Sequence, residues 1–371
     1  MLNELRPDKY IKSLIEPLFG SQRTKEILHI NPTILPIREE ASEVMVYVYD
    51  YNNEVLEERE LASVKEALEF KKNNRNSWIN INGLRKADTE MIAEHFGIHP
   101  LLVEDILSIH QRPKMDEVEG IMFCLLNMLY FNEQKKSVET EQISIVLGDD
   151  FVISFQEDAE RDVFDPLRHK LKMPGTKIRE RGMDYLLYSL LDLIVDNYFL
   201  VMEKIGDQIE DLEEEVLRGH SKRSLGHINQ VRKELIVLKR NLLPVRELTN
   251  GFIRSDNKLL DERTDKYFKD VYDHILQAYD LSENYRDVMM SMQDLYINNV
   301  NLKLNEVMKV MAIVTVLLAP PTVIGGIFGM NFDRIPFAHQ PLAFYITVAV
   351  MLIIPMFMLI IFKKRGWFTR V

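Results

Sequence analysis

Asn305, Met308, Ala312, Thr315, Ala319, Thr322, Gly326 and Gly329 recur at alternating spacings of three and four. On a helix this lays one stripe of small, polar or flexible side chains along a surface otherwise made of Val, Ile and Leu. Amide, hydroxyl and backbone carbonyl oxygens in such a stripe can meet a hydrated cation without trapping it. The same spacing also makes a close-packing seam, because small residues let membrane helices approach. One helix encloses nothing, so a pore lined this way needs several identical chains around an axis. Just beyond the stripe stand Met330 and Asn331. Asn331 offers a neutral amide oxygen, suited to the water shell of a small divalent cation that dehydrates reluctantly.

The element that must carry the stripe is a long apolar helix. Residues 310–328 contain no charged side chain, nor do residues 342–362; each run is close to the roughly 20 residues a membrane-spanning helix needs. Gly329-Met330-Asn331 falls in the short gap between them. Pro320 and Pro321 remove two backbone donors inside the first run, which leaves the carbonyls of Val316 and Leu317 unpaired and predicts a bend. Met308 and Met311, near the inner end, could form an apolar constriction that gates by dewetting, or could pack in a core. If the helix N-terminus lies inside, a ring of such helices gathers negative dipole ends and unpaired carbonyls at the outer mouth.

Charged residues make up 28% of the 371-residue chain, and the formal net charge is -11, so most of the chain must lie in water. Scattered basic residues argue against a nucleic-acid partner. The N-terminus shows no basic region leading into an apolar core, which predicts no signal peptide. Cys124 has no second cysteine to pair with and reads as a buried small hydrophobe. Lys363, Lys364, Arg365 and Arg370 follow the second run, whereas the loop before it has only Arg334 beside Asp333. That bias predicts a cytoplasmic tail and, with two spans, a cytoplasmic N-terminus.

Between residues 43 and 155, β-branched and aromatic runs at 44–49, 78–82, 121–131, 143–147 and 151–155 read as strands, with helices at 88–96 and 101–109. This predicts an α+β membrane protein with a cytoplasmic α/β domain over 1–180 built on a mixed sheet. Long helices follow at 184–217 and 221–249. A third starts at residue 264 and meets no Pro or Gly before 318, a length of about 55 residues or about 80 Å. The expected organisation is a helical stalk and hairpin over 181–306, a pore helix at 307–328, an external loop at 329–341, a second span at 342–362 and a basic tail at 363–371.

Gly329-Met330-Asn331 in this setting, the approach Asn305-Glu306-Val307-Met308-Lys309-Val310, and the upstream strings Phe96-Gly97-Ile98-His99-Pro100, His110-Gln111-Arg112-Pro113-Lys114 and Asp184-Tyr185-Leu186-Leu187-Tyr188 together resemble the CorA family of magnesium and cobalt channels. So does Tyr267-Phe268-Lys269-Asp270-Val271-Tyr272-Asp273-His274. Phe328 stands where that family often has Tyr, and Ala319 is small for the apolar neck that family members commonly keep. The resemblance implies a ring-shaped homopentamer in the cell inner membrane that admits Mg²⁺, Co²⁺ and Ni²⁺ without an organic cofactor. It implies that Gly329, Met330 and Asn331 form the selectivity entrance. It also implies a regulatory Mg²⁺ held between Glu104 and Asp105 of one subunit and Asp270 of its neighbour, with Asp192 contributing to a second site. From the residues alone, these carboxylates read as capping and surface charge. A Zn²⁺ transporter of the same superfamily shares the signature, and a membrane-anchored helical scaffold is the reading from another class.

Asp207, Glu210, Asp211, Glu213, Glu214 and Glu215 cluster at a helix end, where they are either solvated or gather divalent cations at long range. His95 and His99 are followed at once by Pro100 and have no third ligand at convincing spacing, which predicts a structural role. No phosphate-binding loop, dinucleotide fingerprint or nucleophile elbow is present, so no enzyme is expected.

Overall fold

The computed structural model describes residues 40–71, 75–109, 111–158, 161–219, 221–330, 340 and 342–367. These form two compact units that divide between Gln293 and Asp294. The first contains seven strands: Met45–Tyr51 (β1), Leu56–Leu61 (β2), Asn76–Asn82 (β3), Lys114–Val118 (β4), Ile121–Asn132 (β5), Ser137–Leu147 (β6) and Phe151–Gln156 (β7). They make one sheet in the order β2-β1-β3-β7-β6-β5-β4. β3 pairs parallel with β7, and every other neighbouring pair is antiparallel, so the expected mixed sheet is present.

Both faces of this sheet are covered, which explains why its inner strands read as continuous apolar runs. On one face lie Val64–Ala67 (α1), Lys86–Phe96 (α2) and Pro100–Leu107 (α3). There Val64, Ile92, Phe96, Leu102 and Ile106 share a core with Val48, Ile79, Phe123 and Ile153. Asp165–Lys172 (α4) and Lys177–Glu180 (α5) lead to Met183–Leu217 (α6) and Ser221–Arg254 (α7), which pack on the other face. Polar bonds fix both helices to β5: Tyr198 Oη donates to the Asn127 carbonyl at 2.5 Å, and Asn127 Nδ2 donates to Asn241 Oδ1 at 2.8 Å.

β2 and β4 were not expected as strands. Their sequences, LEEREL and KMDEV, are charged, and they are the two edges of the sheet, where charge discourages further pairing. β6 begins at Ser137 rather than 143 because its polar first half still pairs with β5, with Glu141 buried and bonded to the backbone N–H groups of Glu157 and Asp158. α7 runs past the expected end at Thr249, through Pro244 and Gly251, to Arg254. Gly251 faces β4 there, where a Cβ would lie 3.4 Å from Met115 Sδ, an ordinary van der Waals contact.

The helix Asp265–Phe328 (α8) is continuous for 64 residues and passes through Pro320 and Pro321. In the first unit it meets α7 where Phe252 stacks on Phe268 at 5.1 Å, and α6 where Tyr188 and Tyr267 rings lie 5.0 Å apart. The second unit holds the remainder of α8 and Ala343–Lys364 (α9). By length and composition α6, α8 and α9 could each cross a membrane. The apolar window of α6 is 56% buried, whereas those of α8 and α9 are 6% and 0% buried. α6 has already placed its apolar face on the sheet.

Candidate pore and metal-binding residues

Asn305, Met308, Met311, Ala312, Thr315, Ala319, Thr322, Gly326 and Gly329 are all exposed along α8 and its end. A different line of residues is covered: Ile313 is buried, and Leu317, Pro320 and Ile324 are half-buried. The close approach to α9 comes at Gly325, where a Cβ would lie 3.3 Å from Met351 Cε; at Gly326 a Cβ would meet nothing within 4 Å. Within the chain, the packing seam and the stripe are therefore separate faces of one helix.

Thr315 Oγ1 donates to the Met311 carbonyl at 2.9 Å, and Thr322 Oγ1 donates to the Leu318 carbonyl at 2.8 Å. Each hydroxyl proton is thus turned into the helix, leaving oxygen lone pairs to face outward. At the C-terminal end, Gly329 N–H donates to the Gly325 carbonyl at 2.9 Å and Met330 N–H to Ile327 at 3.4 Å, which tightens the last turn. Asn331 lies outside the described residues.

The expected regulatory carboxylates stand on three elements. Glu104 and Asp105 are on α3, with Glu104 exposed and Asp105 half-buried. Asp105 Oδ2 accepts from Lys114 Nζ on β4 at 2.6 Å, and the same ammonium lies 2.9 Å from Asp116 Oδ2. Burial acts to lower the Lys114 pKa, but bonds and charges from Asp105 and Asp116 outweigh it and raise it. Asp270 is exposed on α8 and Asp192 is half-buried on α6. His99 caps α3 by accepting the Leu101 N–H at Nδ1, 3.2 Å away, while the His95 ring packs edge-on against Phe96. In the acidic cluster, Glu214 pairs with Arg218 and Glu215 with His227, each at 2.7 Å.

Asp192 has two neighbours that sequence reasoning missed. His274 Nδ1 on α8 lies 4.0 Å from Asp192 Oδ1 and 3.8 Å from Asp196 Oδ1. One ligand atom from each of the three falls within 4.8 Å of the others. Tyr188 Oη donates to Asp192 Oδ2 at 3.3 Å. Burial pushes the Asp192 carboxyl up, as do the charges of Asp196 and Asp270, against the Tyr188 bond and His274. The available signal was a pair of four-residue spacings, Asp192 with Asp196 and Asp270 with His274, on helices far apart in sequence.

Residues 73–364 match the family described as CorA-like Mg²⁺ transporter protein. The chain belongs to this family. This CorA-family chain is 39% identical over 323 residues to the Cobalt/magnesium transport protein CorA of Thermotoga maritima, a match covering 87% of the chain and 92% of that relative. It is 30% identical to the Putative metal ion transporter YfjQ of Bacillus subtilis, with 79% and 90% covered. Among solved structures, the complete CorA magnesium transporter from Methanocaldococcus jannaschii superposes with a TM-score of 0.75 at 25% identity, covering 89% of this chain and all of that one.

Proposed function

We propose that this CorA-family chain is a channel-like transporter that admits Mg²⁺ and Co²⁺, with Ni²⁺ as a further ion, across the cell inner membrane. In this reading residues 307–328 and 342–362 cross the bilayer, both termini are cytoplasmic, and five copies of α8 surround the axis. The observation that carries it is the exposed, charge-free stripe whose Thr315 and Thr322 oxygens face outward. Neutral oxygens suit an ion that keeps its water and must leave as readily as it enters. Gly329, Met330 and Asn331 form the external entrance, where gathered helix C-termini attract cations without a carboxylate. Met308 and Met311 form the apolar neck.

Moving two elementary charges down 100 mV yields about 4.6 kcal/mol, enough for substantial accumulation without an energy-coupling domain. Cytoplasmic Mg²⁺ bound between Glu104 and Asp105 of one subunit and Asp270 of the next, with Asp192 at a second site, closes the channel by holding the ring together. Uptake of each ion into liposomes containing the purified oligomer tests the reading. Mg²⁺ and Co²⁺ should enter. Entry of Zn²⁺ alone would make it a zinc transporter, and flux silence in a well-folded oligomer would make it a scaffold.

A further inference from the structure

The geometry points to a binding site for an anionic phospholipid of the cytoplasmic leaflet, built on the C-terminal end of α9 from Phe362, Lys363, Lys364, Arg365 and Trp367. It rests on the reading above that residues 342–362 cross the bilayer. α9 holds 22 residues, about 33 Å at about 1.5 Å per residue, close to the thickness of a hydrocarbon core. Its charge-free run ends at Phe362, so Lys363 is the first side chain to meet the headgroups.

The chain turns back at this level. Gly366 adopts a φ of 74°, the left-handed conformation that closes a helix and that a side chain would strain. Gly366 N–H donates to the Lys363 carbonyl at 3.1 Å, and Trp367 N–H donates to the Phe362 carbonyl at 3.0 Å. The indole then lies flat on the Phe362 ring, with centroids 4.9 Å apart and planes 6° apart. Trp367 remains 40% exposed, and at this depth an indole offers its apolar body to acyl chains and its N–H to headgroups.

The same cap frees the cations. Arg365 N–H donates to the Ile361 carbonyl at 2.9 Å, so the carbonyls of residues 361–363 are bonded within the backbone and need no basic side chain to cap them. Lys363, Lys364 and Arg365 are exposed, and none forms an ion pair through its side chain among the described residues. Consecutive positions step about 100° around a helix, so the three cations collar most of its circumference and the Phe362–Trp367 stack takes the remaining sector. A phosphodiester carrying acyl chains matches this arrangement. Its oxygens accept from the guanidinium fork and the ammonium groups, while the chains pack on the two rings. A zwitterionic lipid brings its own ammonium to the phosphate, which competes with these cations, so the site favours lipids of net negative charge.

Trp78 and Trp367 are the two tryptophans of the chain, and Trp78 is fully buried within the first unit, so quenching by lipids with brominated acyl chains reports on Trp367. The full-length oligomer is reconstituted into phosphatidylcholine vesicles holding the same small fraction of brominated phosphatidylglycerol or of brominated phosphatidylcholine. Wild type should be quenched severalfold more by the phosphatidylglycerol. Replacing the cations together, as Lys363→Gln, Lys364→Gln and Arg365→Gln, should remove that preference. Arg365→Gln alone keeps the end basic if the triple variant does not assemble, and should at least about halve it. Glycerol phosphate in the buffer, at matched ionic strength, should leave wild-type quenching unchanged; relief of quenching would make this a site for free phosphates and overturn the lipid assignment. Equal quenching of wild type by both lipids, or an undiminished preference in the variants, overturns the site and leaves the conduction reading standing. Quenching by neither lipid overturns the site together with the span at 342–362.

Discussion

Lys114 on β4 places its ammonium 2.6 Å from Asp105 Oδ2 on α3, so the carboxylate proposed to meet Mg²⁺ from a neighbouring subunit already has a cation of its own. Metal binding there competes with an internal ion pair. Lys114→Met should therefore shift Mg²⁺-dependent protection of α8 from protease to severalfold lower Mg²⁺. The half-exposed pair contributes less than about 1 kcal/mol to stability, so thermal unfolding should barely change. An unchanged protection midpoint would mean that Asp105 does not bind the regulatory ion.

Removing the proposed sensor has the opposite effect. Asp105→Asn combined with Asp270→Asn should weaken protease protection by Mg²⁺ and leave currents less inhibited from the cytoplasmic side, with permeation intact. A ligand shifts a gate only by its differential affinity for the two states. Wild-type protection and inhibition in the double variant would return both residues to the role of surface charge.

At the entrance, Asn331→Ala should abolish Mg²⁺ uptake while size-exclusion chromatography still shows the intact oligomer. Asn331→Asp should alter ion selectivity by adding a ring of charge. Near-normal uptake in the Ala variant removes Asn331 from the filter.

Thr315 separates shape from chemistry. Thr315→Val keeps the branched shape but removes the oxygen, and should lower Mg²⁺ flux severalfold, whereas Thr315→Ser keeps the oxygen and should retain most of it. Equal flux in the two variants would show that the stripe serves packing between chains.

Topology can be tested by labelling from outside with an impermeant thiol reagent: a cysteine at Ala338 should react and one at Thr369 should not. Native Cys124 adds little background, since it is buried and burial pushes its thiol pKa up. Equal labelling at both positions would reverse the orientation argument.

What the sequence made legible follows the strength of each physical signal. The β-branched runs at β3, β5 and β7 announce themselves because covered sheet faces leave little room for polar residues, and the charge-free runs at α9 and the end of α8 because they have the length and composition that a span needs. The edge strands β2 and β4 were hidden by the charges that suit an edge. The helix expected to end at Thr249 continues because Leu248 and Phe252 stay buried, and this packing carries α7 on to Arg254. Of the candidate site, the stripe on α8 could be read from one helix's periodicity. Asp196 and His274 could not, because nothing in a one-dimensional pattern pairs α6 with α8. The Lys114 ion pair was equally invisible, since it joins a helix to an unrecognised strand.

The parallel pairing of β3 with β7 sets Ser77 opposite Phe151, and β7 is the last strand of the sheet in chain order. A ribosome has therefore delivered all seven strands once Gln156 emerges, and it must still make α6, α7 and most of α8 before the charge-free segment at 310 appears. At about 5–20 residues per second, that interval is on the order of ten seconds. The sheet can fold in water before the first sticky hydrocarbon segment needs an insertion machine, so damage to the two events should be separable: lesions in the sheet would give degraded nascent chains, and lesions in the spans would give folded domains stranded off the membrane.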